Sequence, residues 1–279
     1  MVAIKHATET CRVLKVEGDS QKLTVDTLIQ EDPLAIYVTW PGVDPRYFTT
    51  VLRTPGDDFP LAAGIAATEL GVDCQGIAGV RYCVPEDLEQ HYNAVTLALT
   101  GPVDLVPSAL RTNSCGWCDL TDLGDKFNLD KRPPSTRRLT IDDLESLSET
   151  FNRMQGAFRK TGSSHGALLH TTGGTTFLGE DVGRHNALDK AIGKGILEAC
   201  DLREATVLLS GRAGADLVAK SASIGASFVI SVSAPSALAV QLAVHSGITL
   251  IGFLRPGRMN VYSYPETLEI GYEATLTRR

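Results

Sequence analysis

Hydrophobic and polar positions follow regular patterns in two stretches of the chain, and a stretch without periodicity separates them. In the N-terminal third, the β-prone runs CRVLKV (Cys11 to Val16), KLTVDTLI (Lys22 to Ile29) and LAIYVTW (Leu34 to Trp40) are bounded by Gly, Asp and Pro, which predicts strands. VTLAL (Val95 to Leu99) predicts another. Between them, GDDFPLAAGIAATELG predicts a helix capped by Asp57 or Asp58 and stopped by Gly71. From about Pro107 to Pro134 the pattern dissolves into Pro, Gly, Asn and Asp, and a loop of that length is uncommon unless it is functional or disordered.

Periodicity returns after Thr140, a predicted N-cap with Asp143 three residues on. Leu144, Leu147, Phe151, Met154 and Phe158 then mark one face of a single helix. Beyond it, strands GALLHTT, ATVLLS, SFVISVS and ITLIGFL alternate with helices NALDKAIGKGILEA, GADLVAKSASIG and PSALAVQLAVHSG, the last opening on Pro235. Alternation of this kind implies βαβ units and a mostly parallel sheet covered by helices. The expected organisation is a β-rich α+β domain over 1–110, a loop over 111–136 and an α/β/α domain over 137–279.

Charge and composition narrow the function. With 279 residues, 43% hydrophobic content and a net charge of −7, the chain is globular and has no basic field to attract nucleic acid or a membrane surface. Any anion site must be a local cluster. No signal peptide is evident at the N-terminus, and the charge-free stretch from Ser227 to Leu254 is interrupted by Pro235, Gln241, His245 and Gly247, so it reads as a buried strand–helix–strand unit rather than a bilayer span. The expected location is the cytoplasm.

In open α/β sheets, ligands bind beyond the carboxyl ends of strands, beside helix N-termini. ATVLLS runs into Ser210-Gly211-Arg212, and ITLIGFL into Arg255-Pro256-Gly257-Arg258; GEDVGRHN leads into the helix starting near Asn186. Arg184, His185, Arg212, Arg255 and Arg258 are thereby sent towards one edge, a pattern suited to a polyanion because guanidinium forks bind phosphate bidentately. The plainer alternative makes them surface charges paired with Glu180, Asp181 and Asp216. His165 and His170 flank a strand, where either a structural or a catalytic role fits.

Of the six cysteines, Cys11, Cys74, Cys83 and Cys200 read as small buried hydrophobes, whereas Cys115 and Cys118 form the pair NSCGWCD. A structural zinc site needs a second knuckle, and zinc deaminases show H-x-E before P-C-x-x-C; neither is found here. A thioredoxin-like couple would stand at a helix N-terminus after a strand, whereas Cys115 lies in an irregular polar stretch. A mobile thiol that carries sulfur as a persulfide fits better, and the redox couple stays as an alternative. Arg111 favours the thiolate, while Asp119, Asp122 and Asp125 oppose it.

The segment EDVGRHNALDKAIG (Glu180 to Gly193) resembles the formate dehydrogenase accessory sulfurtransferase family, FdhD. So do EDPLAIYV at Glu31, RTPGDDFPLAAGI at Arg53, NSCGWC at Asn113, SGRAGADLVAK at Ser210 and ITLIGFLRPGRMNVY at Ile248. The resemblance implies a cytidine-deaminase-like C-terminal domain without zinc chemistry, and a sulfur carrier that takes persulfide sulfur from a cysteine desulfurase. The sulfur's destination is the molybdenum bis(molybdopterin guanine dinucleotide) cofactor, bound as substrate, of a formate dehydrogenase apoenzyme; a homodimer is a further expectation. It implies that Cys115 holds the persulfide with help from Cys118, and that Phe253, Leu254, Arg255, Pro256, Gly257 and Arg258 contact the guanine dinucleotide arms, with Arg212, Arg184 and His185 nearby. The rival reading is a cofactor chaperone that moves no sulfur. Two positions depart from the family pattern: Asp119-Leu120 where Gly-Lys commonly follows the second cysteine, and Ser163-Ser164 after Thr161-Gly162 where Thr-Gly-Gly is common.

Overall fold

The computed structural model describes residues 6–82, 92–105 and 129–270. Strands β1 (Thr8–Glu17) and β2 (Ser20–Ile29) form a separate antiparallel hairpin. Next come β3 (Asp32–Trp40), β4 (Val43–Arg53), helix α1 (Asp58–Leu70), β5 (Ile77–Tyr82) and β6 (Ala94–Leu99), the strands lying in the order β4-β3-β6-β5. The predicted strands and the helix are all present, and Gly71 closes α1 at φ 67, where a side chain would be strained. β4 and β5 were not expected from the pattern.

The second half carries β7 (Leu139–Thr140), α2 (Ile141–Met154), α3 (Gly156–Thr161), β8 (His165–His170), β9 (Thr176–Asp181), α4 (Arg184–Leu197) and β10 (Thr206–Leu209). It continues with α5 (Ala215–Ser223), β11 (Phe228–Ser231), α6 (Ala237–His245), β12 (Thr249–Arg255), β13 (Arg258–Val261) and β14 (Leu268–Glu269), which pairs with β7. Six strands form one sheet in the order β13-β12-β11-β10-β8-β9.

This sheet is mixed, not mostly parallel. β10–β11 and β11–β12 are parallel, whereas β8–β9, β10–β8 and β12–β13 are antiparallel. The cause is two tight turns the hydrophobic pattern did not reveal, Thr171–Thr175 and Pro256-Gly257, each of which reverses the chain into a hairpin; Gly257 at φ 71 suits the second turn. Because β9 reverses direction before the α4 crossover, β10 is laid antiparallel to β8.

Two further expectations need correction. Thr140 and Asp143 do form a reciprocal capping box, but the helix breaks at Gln155 and restarts as α3, leaving Met154 and Phe158 exposed. The restart is supported from a distance: Glu180 accepts the Ala157 and Phe158 N–H groups at 2.9 Å each. Helix α6 is capped by the Ser236 hydroxyl, so Pro235 stands before it rather than at its first turn.

Three apolar clusters define layers. Leu34, Ile36, Val38, Val95 and Leu97 meet one face of α1; its other face, with Ala63 and Ala67, joins α4, α5, α6 and one side of the large sheet. The other side, including Leu168, Leu208 and Ile230, is covered by Leu144, Leu147 and Phe151 of α2. The α1–α4 crossing is close enough that a Cβ on Gly193 would lie 1.7 Å from the Pro60 carbonyl oxygen, and one on Gly64 1.9 Å from that of Asp189.

Buried polar groups join the layers. Asp181, fully buried, accepts from the Thr54 N–H at 2.9 Å, the Gly183 N–H at 2.9 Å and Asn186 Nδ2 at 3.1 Å, and pairs with Lys190 Nζ at 2.8 Å. Lys190 also donates to the Thr54 carbonyl at 2.8 Å. The segment EDVGRHN is thus bolted to Leu52 and Thr54, the Val182 N–H donating to the Thr54 hydroxyl at 3.1 Å and Asn186 Nδ2 to the Leu52 carbonyl at 2.7 Å. Arg53 forms a fork with Asp58 at 2.8 Å on both arms, and the Tyr82 hydroxyl donates to the same carboxylate. Cys74 and Cys200 pack half-buried against the core as expected, but Cys11 sits half-buried on the β1–β2 hairpin, outside the core clusters. Cys83 lies outside the described residues.

Candidate functional site

Strand directions bring the carboxyl ends of β9, β10, β11 and β12 to one edge of the large sheet, together with the amino end of β8. On this edge lie His165, the turn from Asp181 to Arg184, Ser210 to Arg212, Ser231 to Ser233, and Leu254 to Arg258. The segments expected to converge do so because they follow parallel or co-directed strands.

The arginines differ in how much of their charge is available. Arg212 and Arg258 are exposed and form no ion pair or hydrogen bond among the described residues. Arg255 and Arg258 face each other across the two-residue turn. Arg255 Nη1 donates to the carbonyls of Val232 and Leu254 at 2.7 Å each, which fixes the guanidinium at the mouth of a cleft. Arg184 Nη2 lies 3.7 Å from Asp216 Oδ2, its Nε is buried without a partner, and His185 Nε2 contacts the same carboxylate oxygen. Burial pushes the Asp216 carboxyl up, but the hydrogen bond and charge of His185, the Leu217 N–H and Arg184 together bring it down to about 2. For Arg184 and His185 the surface-pairing alternative is therefore partly realised. It is not for the others, since Asp181 pairs with Lys190 and Glu180 caps α3.

The turn carrying Phe253 to Arg258 is shaped by a bulge between Gly252 and Arg255. Phe253 takes φ 56, donates its N–H to the Ser233 carbonyl at 3.1 Å, and is 41% exposed. Positive φ at an aromatic residue stores strain, a recurrent feature of functional turns. Leu254 points the other way, into the core shared with α2.

Beside the turn is a cleft of about 460 Å³. Phe151, Asn152, Gln155, Phe158, His165, Ser210, Leu254, Arg255 and Pro256 are among its walls. His165 Nδ1 stands 3.4 Å from Ser210 Oγ, which also accepts the Gly166 N–H at 2.9 Å. Gly211 fits against the imidazole, a Cβ there lying 3.3 Å from the ring. Burial, then the charges of Arg184 and His185, hold His165 below its ordinary value despite the opposing pull of Asp181, so the ring is neutral at neutral pH. His170 is at the far end of β8, with Nδ1 2.9 Å from Thr176 Oγ1, away from this edge.

Ser210 and Gln155 are additions to the residues read from sequence. Ser210 closes a strand, a position that marks it, but its partner His165 is 45 residues away. Nothing in the helical spacing signals the break at Gln155. Cys115 and Cys118 lie outside the described residues.

Residues 29–269 match the model of the FdhD/NarQ family. The sulfur carrier protein FdhD of Streptomyces avermitilis is 36% identical over 275 residues, covering 92% of this chain and 94% of its own. Its namesake from Thermoplasma acidophilum is 36% identical over 250 residues, 87% of each chain. The crystal structure of a Desulfotalea psychrophila protein, described as a candidate formate dehydrogenase accessory protein, superposes with TM-score 0.73 at 22% identity over 94% of this chain and 99% of that one, a likeness of fold. The chain belongs to the FdhD/NarQ family.

Proposed function

We propose that this chain is a sulfur carrier. The Cys115 thiolate attacks the outer sulfur of a cysteine desulfurase persulfide; the donor's S–S bond breaks, the donor departs as a thiolate, and Cys115 becomes the persulfide, with no external oxidant or reductant. Cys118 assists this exchange. The sulfur passes to the molybdenum bis(molybdopterin guanine dinucleotide) cofactor, the substrate, on its way to formate dehydrogenase.

What carries this reading is the unpaired guanidinium charge of Arg212 and Arg258 on a glycine-containing edge, in a chain of this family that bears the Cys115–Cys118 pair. The residues fit a pyrophosphate: the Arg255–Arg258 turn offers a guanidinium on each side, and Arg184 Nε is a buried donor without a partner. The reversed β8 next to parallel β10, β11 and β12 supports a cytidine-deaminase-like layer in the second half, and the division into domains over 1–110 and 137–279 with the cysteine-bearing segment 111–136 between them is part of the same proposal. A cytoplasmic location and a homodimer belong to the same reading. Among the described residues no helix is long and apolar enough to cross a membrane.

The test is incubation with a desulfurase and labelled cysteine, followed by peptide mass spectrometry. One sulfur on the Cys115 peptide is expected. Equal labelling of a Cys115→Ala chain contradicts the assignment, and a Cys115→Ala chain that still activates formate dehydrogenase favours the chaperone.

A further inference from the structure

Gln155 is 7% exposed and lines the 460 Å³ cleft, and its side-chain amide makes no hydrogen bond among the described residues, its polar atoms staying open to the cleft rather than sealed in the core. An amide whose donor and acceptor are left to the cleft is available to a ligand that enters it. The surroundings are arranged around it. The α2–α3 break sets Gln155 at φ −67, ψ 81, and Glu180 sustains that break by capping α3. The absent side chain of Gly166 makes room: a Cβ there would lie 2.8 Å from Gln155 Oε1 and 3.0 Å from the Phe151 ring. Phe151 and Phe158 supply aromatic surface to the cleft, and Arg255 and Pro256 bring the charged turn to it.

An amide presents one acceptor and one donor side by side. Its complement is a flat ring bearing an N–H next to a C=O, packed against aromatic walls, with phosphate within reach of Arg255. We infer that Gln155 reads the 2-amino-4-oxopyrimidine edge of a ligand held in this cleft. The inference rests on the proposed function, in which that edge occurs twice on the substrate, once in guanine and once in the pterin. Gln155 is then a binding and specificity residue that neither the cysteine pair nor the arginine motif announces.

The experiment compares the full chain with Gln155→Met, which keeps the volume and removes both polar atoms, using GDP, neopterin and inorganic pyrophosphate as probes in calorimetry. If guanine is read, Gln155→Met weakens GDP about tenfold or more and leaves pyrophosphate unchanged, since a lost neutral hydrogen-bond pair has roughly that effect. If the pterin is read, neopterin alone weakens. In either case the unliganded variant melts at about the parent's temperature, because the substitution removes no hydrogen bond among the described residues. GDP and neopterin both bound as tightly by the variant as by the parent overturn the inference and leave the polyanion site standing. Loss of pyrophosphate binding together with a lower melting temperature assigns Gln155 a structural role and also overturns it. A parent chain that binds none of the three probes defeats the inference and the polyanion reading together.

Discussion

Replacing Lys190 with Met tests whether the two halves are held together by a buried charge. Lys190 is 1% exposed and Asp181 0%, and Nζ lies 2.8 Å from the Asp181 carboxylate and 2.8 Å from the Thr54 carbonyl. The substitution leaves a desolvated carboxylate with three neutral donors, Thr54 N–H, Gly183 N–H and Asn186 Nδ2, and deprives the Thr54 and Glu180 carbonyls of a donor. Breaking a buried pair from one side costs about 3–5 kcal/mol. For a chain of this size that lowers Tm by roughly 6–20 °C. Urea denaturation of Lys190→Met, Asp181→Asn and the double variant measures it, and the double variant should lose less than the sum of the singles because each removes the same interaction. A loss under about 1 kcal/mol in both singles, or full additivity, would refute the argument, since it puts the pair in the range of solvated surface bridges.

Other outcomes follow from separate parts of the fold. Gly193→Ala drives a methyl group into the Pro60 carbonyl and should destabilise by about 1–3 kcal/mol or more in the same assay, whereas Gly257→Ala, with open space around it, acts through its positive φ alone. Thr140→Ala removes the capping box of α2 and should cost about 1 kcal/mol. Burial, then the Asp58 charge, push Tyr82 up to about 12; the unfolded tyrosine ionises near its ordinary value, so Tyr82 stabilises the fold below pH 10 and that contribution is lost as pH rises towards 12, readable by ultraviolet titration of the parent against Tyr82→Phe. His165 has the opposite sense. Its folded value is depressed, so protonation of the unfolded state erodes stability as pH falls below the ordinary histidine value, and its ring proton shifts in NMR should titrate below those of an exposed histidine.

Much of the frame was legible because local pattern and final position agree. The alternating strands and helices of the second half, the Thr140–Asp143 cap and the Gly71 stop depend on neighbours within a few residues. What stayed hidden depends on distant ones. β4 carries Pro45, tolerable because it is an edge strand with an irregular register near Val38–Trp40. β9 ends in Glu180 and Asp181, which look like a loop until Asp181 is seen buried against Thr54 and Lys190. The spacing of Leu144 to Phe158 continues through Gln155, and only Glu180, reached through β8 and β9, explains the break. The arginine edge was readable because strand ends in an α/β sheet share a direction; which arginines stay unpaired was not, since Asp216 selects Arg184 and His185 from another helix.

The claim that the arginine edge receives what the thiol carries is tested most directly by a reconstitution with labelled sulfur. The parent chain, Cys115→Ser and Arg212→Ala/Arg258→Ala are each loaded by a desulfurase and mixed with formate dehydrogenase whose cofactor lacks the transferred sulfur, and the label reaching the cofactor is counted. The account predicts that Cys115→Ser neither loads nor transfers, and that the arginine variant loads like the parent but transfers little. Transfer by the arginine variant at the parent's rate, or loading of Cys115→Ser, would contradict it.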